Sequence, residues 1–180
     1  MMRKDLKLAA YAVTLVGILI IWLVFRAHEL STYALVRFAI IIVFGYIATL
    51  FDISQKRIPN GLILVMIAVW GLLILPMLIY SIPAGVDALI DSTLGLLVGG
   101  GVFIVVYLIS KKGLGGGDVK FMAAAGLYLG LSKTIPAILY GTILAALAGF
   151  TLVALGKITK KDTIPLAPFL FAGITIATFT

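Results

Sequence analysis

Long apolar runs separated by short polar breaks dominate this chain, and most of the runs approach the ~20 residues that an α-helix needs to cross a hydrocarbon core. The pattern predicts helices over 7–26, 33–51, 61–80, 91–110, 118–131, 134–156 and 163–180. The fifth is short. About 14 residues rise only roughly 21 Å, so it needs shielding by its neighbours or a thinned bilayer. One bent helix covering the fifth and sixth runs is the competing count. The expected fold is an all-α polytopic membrane protein of about seven transmembrane helices. Residues 1–32 form an N-terminal helix and outer loop, and 33–180 form a six-helix core.

Composition sharpens this. The chain has 180 residues, of which 63% are hydrophobic and 12% charged, and its mean hydropathy is +1.24. Soluble domains carry about twice that share of charge. With no cysteine in the sequence, disulfides, zinc–thiolate sites and cysteine nucleophiles are excluded. The net charge of +7 reads as membrane orientation rather than nucleic-acid binding, because so little soluble surface exists to bind one. An inside N-terminus puts Arg3, Lys4, Lys7, Lys56, Arg57, Lys111, Lys112, Lys120, Lys157, Lys160 and Lys161 on the cytoplasmic side. Only Arg26, Arg37 and Lys133 fall outside. That bias sets the expected topology. The first apolar run has no small-x-small cleavage site after it and is read as a retained helix. Small residues at Gly141, Ala145 and Gly149, and Gly99 to Gly101, predict close helix contacts.

Acids inside a membrane are costly and usually functional, which makes the seven here informative. Asp5, Glu29 and Asp162 read as solvated loop charges. Asp87 and Asp91 read as part of a wet outer loop, "SIPAGVDALID", leading into a helix start. Asp52 and Asp118 differ: each abuts an apolar helix directly, and the topology brings both to the cytoplasmic face. Taken singly, Asp118 also fits a helix N-cap and Asp52 an ion-pair partner of Lys56 or Arg57. Taken together, two close carboxylates in a low-dielectric site share one proton. The ionised one can take a proton from water while the protonated one polarises a carbonyl, with no metal or cofactor. Gly115, Gly116 and Gly117 fit as a hinge with backbone conformations closed to other residues. The same glycines lack the spacing of a phosphate-binding loop.

Three segments carry a resemblance. "DISQKRIPN" places an aspartate shortly before Ile58, Pro59 and Asn60; "GLGGGDVKFMAAAG" holds a G-x-G-D motif followed by Lys120; "PLAPFLFAG" opens the last helix. Together they resemble the type IV prepilin peptidase family and the related archaeal preflagellin peptidases. The resemblance implies a membrane aspartic endopeptidase that removes basic leaders from prepilin-like substrates at the cytoplasmic face of a prokaryotic cell membrane. It implies Asp52 and Asp118 as the catalytic pair. Gly115, Gly116, Gly117, Lys120, Ile58, Pro59 and Asn60 become substrate-binding or loop-shaping positions. Long members of the family also methylate the new N-terminus and carry an insertion with paired cysteines. This chain has neither the cysteines nor the insertion, so it resembles a peptidase-only form, and the resemblance gives no support for methyltransferase activity. Two alternatives stay open: a broader intramembrane protease, or a small proton- or cation-coupled transporter using the same two acids. Neither a cofactor nor a nucleic-acid partner is expected, and nothing in the sequence sets the oligomeric state.

Overall fold

The computed structural model describes residues 2–110, 113–157, 159 and 164–180, with 2–9 described by backbone alone. The loop cations Lys111, Lys112, Lys160 and Lys161 and the acid Asp162 lie outside the described residues, as do the side chains of Arg3, Lys4, Asp5 and Lys7. Six helices follow in order: α1 (Met2–Arg26), α2 (Thr32–Gln55), α3 (Asn60–Tyr80), α4 (Ile82–Ile109), α5 (Gly116–Ala154) and α6 (Ala167–Phe179). Among the described residues there is no strand. Helices α2 to α5 are each long and apolar enough to span a bilayer, while α1 and α6 contribute shorter apolar stretches. Leu64, Leu72 and Leu97 are each more than half exposed. Apolar side chains on the outside suit lipid as the solvent. This is a multi-pass membrane protein.

Two expectations need correction. The fourth helix begins at Ile82, not near 91, so Asp87 and Asp91 sit on a helix rather than in a wet loop. Ser81 alone joins α3 to α4 in an extended conformation, and Pro83 occupies the first turn. Proline is preorganised for that position and lacks only an amide that would have no partner there.

The fifth and sixth expected helices form one element, α5, broken at Gly130 (φ 68°, ψ 178°). The count of seven therefore depends on how this break is treated. Asp91 explains it. Its Oδ1 accepts a hydrogen bond from the Leu131 amide at 2.9 Å, capping the second half of α5. A Cβ at position 130 would fall 1.9 Å from Asp91 Oδ2, so only glycine fits there. Arg37 lies 3.6 Å from the same carboxylate and stacks near the Tyr33 and Phe38 rings. Asp91 thus ties α2, α4 and the two halves of α5 together. We predict that Asp91→Leu, which removes the cap and leaves Arg37 unpaired, lowers stability by about 1–2 kcal/mol. Asp91→Asn keeps an oxygen for Leu131 and costs less. Thermal melts of the two variants in detergent check the order, and equal melting temperatures would count against the cap.

The first half of α5 is the centre of the bundle, since Phe121, Met122, Ala125, Tyr128 and Leu129 are all fully buried. As a whole, α5 touches α2, α3, α4 and α6. Against α4 it packs backbone to backbone: a Cβ on Gly95 would meet the Gly126 carbonyl oxygen at 2.2 Å, and one on Gly99 the Met122 oxygen at 2.4 Å. The Tyr128 hydroxyl donates to the Met66 carbonyl of α3. Of the small-residue positions expected to mediate contacts, Gly99, Gly100 and Gly141 do so, whereas a side chain at Gly101 would meet open space and one at Gly149 only the tip of Ile164. In contrast, among the described residues α1 packs only on α2 and α6. Its one buried side chain among the described residues, Trp22, donates its indole N–H to Thr178 Oγ1 at 2.9 Å.

Candidate active site

Helical periodicity alone turns Asp52 inward. The buried residues of α2 include Phe38, Ile41, Ile42, Gly45, Ala48, Thr49 and Asp52, a stripe with three- and four-residue steps that ends on a carboxylate. Asp52 lies in the last turn of a helix longer than expected, because α2 continues to Gln55. Lys56 then closes it in the left-handed conformation (φ 51°), with its amide bonded to the Asp52 carbonyl at 2.8 Å. Asp52 is only 6% exposed. Its Oδ2 accepts the amide of Ala167 at 2.9 Å, at the N-terminus of α6. One turn back, Thr49 Oγ1 donates to the Gly45 and Ala167 carbonyls, so the start of α6 is fixed to the end of α2. That contact explains why the "PLAP" segment matters to the site.

Asp118 heads a matching stripe on α5, with Phe121, Met122 and Ala125 buried behind it. It does not cap the helix. Gly115 holds the cap position without a side-chain bond, and the Asp118 amide reaches the Gly115 carbonyl at 3.1 Å from inside the first turn. Asp118 is 9% exposed, and its Oδ1 is buried with no hydrogen-bond partner among the described residues. In a low-dielectric site such an atom is costly unless something else occupies it.

The glycines work differently from a permissive hinge. None of Gly115, Gly116 or Gly117 has a positive φ. Gly115 is small because a Cβ there would fall 2.7 Å from Asp118 Oδ2, and Gly117 because Ile58 packs over it with its Cβ 3.3 Å from where another would be. At Gly116 a side chain would meet nothing within 4 Å. Space, not backbone freedom, explains two of the three.

The two carboxylates open on a pair of adjoining cavities of about 390 and 320 Å³, both lined by Asp52, Lys56, Gly115 and Asp118. The first extends over Leu114 and the Ile164–Leu166 segment. The second extends over Arg57, Ile58, Asn60, Gly116, Gly117 and Lys120. Of the expected site residues, only Pro59 lines neither; it precedes α3 as the cap residue. Lys56 and the Ile164–Ala167 segment were not among the expected site residues. The signal for the segment was the proline pair at 165 and 168, of which Pro168 sits in the first turn of α6. A larger apolar cavity of about 600 Å³, between the start of α2 and the end of α3, contains no acid.

Residues 38–150, which include both acids and the second cavity, match the model of the type IV leader peptidase family. The chain belongs to that family. Among curated members, it is 29% identical over 127 residues to a prepilin leader peptidase/N-methyltransferase of Bacillus subtilis, covering 70% of this chain and 48% of the relative. A protein of the same name from Aeromonas salmonicida is 31% identical over 123 residues, 68% of this chain and 41% of its own. Leader peptidase HopD of Escherichia coli is 36% identical over 112 residues, 53% of this chain and 66% of its own. The chain therefore spans under half the length of the first two leader peptidases. No solved structure matches it.

Proposed function

We propose that this chain is an aspartic endopeptidase that removes the basic leader from type IV prepilin-like precursors at the cytoplasmic face of the membrane. One observation carries the proposal: two buried carboxylates, far apart in sequence but both inside the region matched to the leader peptidase family, line the same two cavities. Residues 33–180 form the peptidase core on this reading, with α1 as an addition. The names of the Bacillus and Aeromonas relatives join peptidase to N-methyltransferase, whereas that of HopD gives the peptidase alone, and the proposal covers only the peptidase.

The chemistry follows from the pair. The Ala167 amide donated to Asp52 supports Asp52 as the ionised partner, since an amide at a helix N-terminus favours an anion. Asp118, with an unpartnered oxygen, is then the proton donor. Water between them loses a proton to Asp52 as its oxygen bonds to the scissile carbonyl carbon, and Asp118 gives its proton to the carbonyl oxygen. The tetrahedral intermediate returns that proton to Asp118 and expels the amine, which leaves with the proton held on Asp52.

Co-expression with candidate prepilins, read by mass spectrometry of the membrane fraction, tests this. The expected result is loss of the leader mass and a new N-terminus at the start of the apolar helix. A cut deep within that helix would point instead to a broader intramembrane protease. Ion flux in liposomes with no hydrolysis of any candidate would overturn the peptidase assignment.

A further inference from the structure

Nothing in the dyad chemistry needs Lys120 or Asn60, yet the two meet across the mouth of the second cavity. Lys120 lies near the start of α5, two residues beyond Asp118, and its Nζ donates to Asn60 Oδ1 of α3 at 3.0 Å. Between Asp52 and Asn60 the chain must turn out of α2 and into α3. Lys56 supplies the turn as the one non-glycine residue with positive φ among the described residues. Ile58 then drops to 4% exposure, with its Cβ, amide and carbonyl all lying 3.3–3.5 Å from where a Cβ on Gly117 would sit. The connection is thus held to the start of α5 at two points, one apolar and one polar. Asp52 enters this connection from one side, and Asp118 lies on the turn to which it is held.

We propose that Lys120 and Asn60 are positioning residues. Their hydrogen bond, with Ile58 seated on Gly117, clamps the α2–α3 connection to α5 and holds Asp52 and Asp118 at their working separation. The catalytic part of this inference rests on the proposed peptidase activity; the geometric part does not. Lys120 needs length and a donor for this role, and Asn60 an acceptor, so Lys120→Arg keeps the clamp while Lys120→Met and Asn60→Ala break it. Both side chains are exposed, so either loss leaves the buried core untouched.

Because the sequence holds no cysteine, the separation can be measured without background. Asp52→Cys with Asp118→Cys, in membranes, is treated with a short bifunctional thiol reagent. The initial rate of cross-linking is then compared with and without Lys120→Met or Asn60→Ala. Each is expected to slow cross-linking by about fivefold, with no further slowing when combined, and Lys120→Arg is expected to restore most of the rate. In chains with both aspartates intact, each loss is expected to lower kcat on a prepilin by about ten- to hundredfold, as misplaced reacting groups do, with KM within about twofold. A thermal melt of each variant separates displacement from unfolding. Unchanged cross-linking in both single variants overturns the clamp, as do losses that multiply when combined. Slowed cross-linking in a chain that cleaves no prepilin keeps the clamp and sinks the peptidase assignment instead.

Discussion

Replacing either Asp52 or Asp118 by asparagine is expected to reduce leader cleavage to background, at least about a thousandfold below the unmodified chain. The substitution is nearly isosteric, so packing is kept, and an amide oxygen at position 52 can still accept the Ala167 N–H. What is lost is the exchangeable proton. An amide neither takes a proton from water nor gives one to a carbonyl, and the two carboxyls act as one unit, so losing one costs nearly as much as losing both. Asp87→Asn is the comparison: Asp87 is an exposed acid on α4 that lines neither cavity at the site, and its replacement is expected to leave cleavage within about twofold. The measurement is cleavage of a purified prepilin by purified protein in detergent or nanodiscs. Cleavage above a tenth of normal in either of the first two variants would remove the dyad from the mechanism.

Much of this architecture is legible in the sequence because membrane proteins simplify the problem. Apolar run lengths place four of the six helices to within about a turn or two at most ends, and cover α5 as two expected runs. The cost of charge in lipid makes Asp52 and Asp118 stand out from the sequence alone. The buried stripes behind them give the physical reason, since three- and four-residue steps put Phe38 and Asp52, or Asp118 and Ala125, on one face. The failures share a cause. Asp87 and Asp91 read as solvated because they are acids, although the proline after Ser81 and Ile82 is the better guide to where α4 begins. Asp91 is stabilised by partners on two other helices, Arg37 and the Leu131 amide, that no local pattern reveals. Glycines mislead in the same way. Sequence suggests torsional freedom at Gly115 to Gly117, whereas among the described residues the torsions that demand glycine lie at Gly130 and Gly156 and the tightest helix crossing at Gly95 and Gly126. Whether a glycine serves conformation or contact depends on what lies opposite, and that is a tertiary fact.

Gly126→Ala carries the largest expected effect on stability. In an ordinary helix interior, alanine for glycine gains about 0.5–1 kcal/mol, because the unfolded chain has less freedom to lose. At Gly126 the gain is overwhelmed. The added methyl would lie 2.2 Å from the Gly95 oxygen, 2.4 Å from its carbon and 2.7 Å from the Leu96 nitrogen. All three are backbone atoms of α4, so no side-chain end can swing away. The helices must separate by about 1 Å to restore ordinary contact, and the neighbouring approach of Gly99 to Met122 opens with them. Overpacking of this kind costs about 1–3 kcal/mol or more, so the net expectation is a loss of about 2 kcal/mol. Cleavage should fall as well, because Asp118 rides on the displaced half-helix and small misplacements of reacting groups are expensive. Gly101→Ala on α4 isolates the cause. A methyl there meets nothing within 4 Å, so the same substitution should be neutral or stabilising. Thermal melts of the two variants in one detergent decide the matter. If Gly126→Ala melts at or above the unmodified chain, the α4–α5 crossing is looser than the structure has it, and the rigid central half-helix that carries Asp118 has to be abandoned with it.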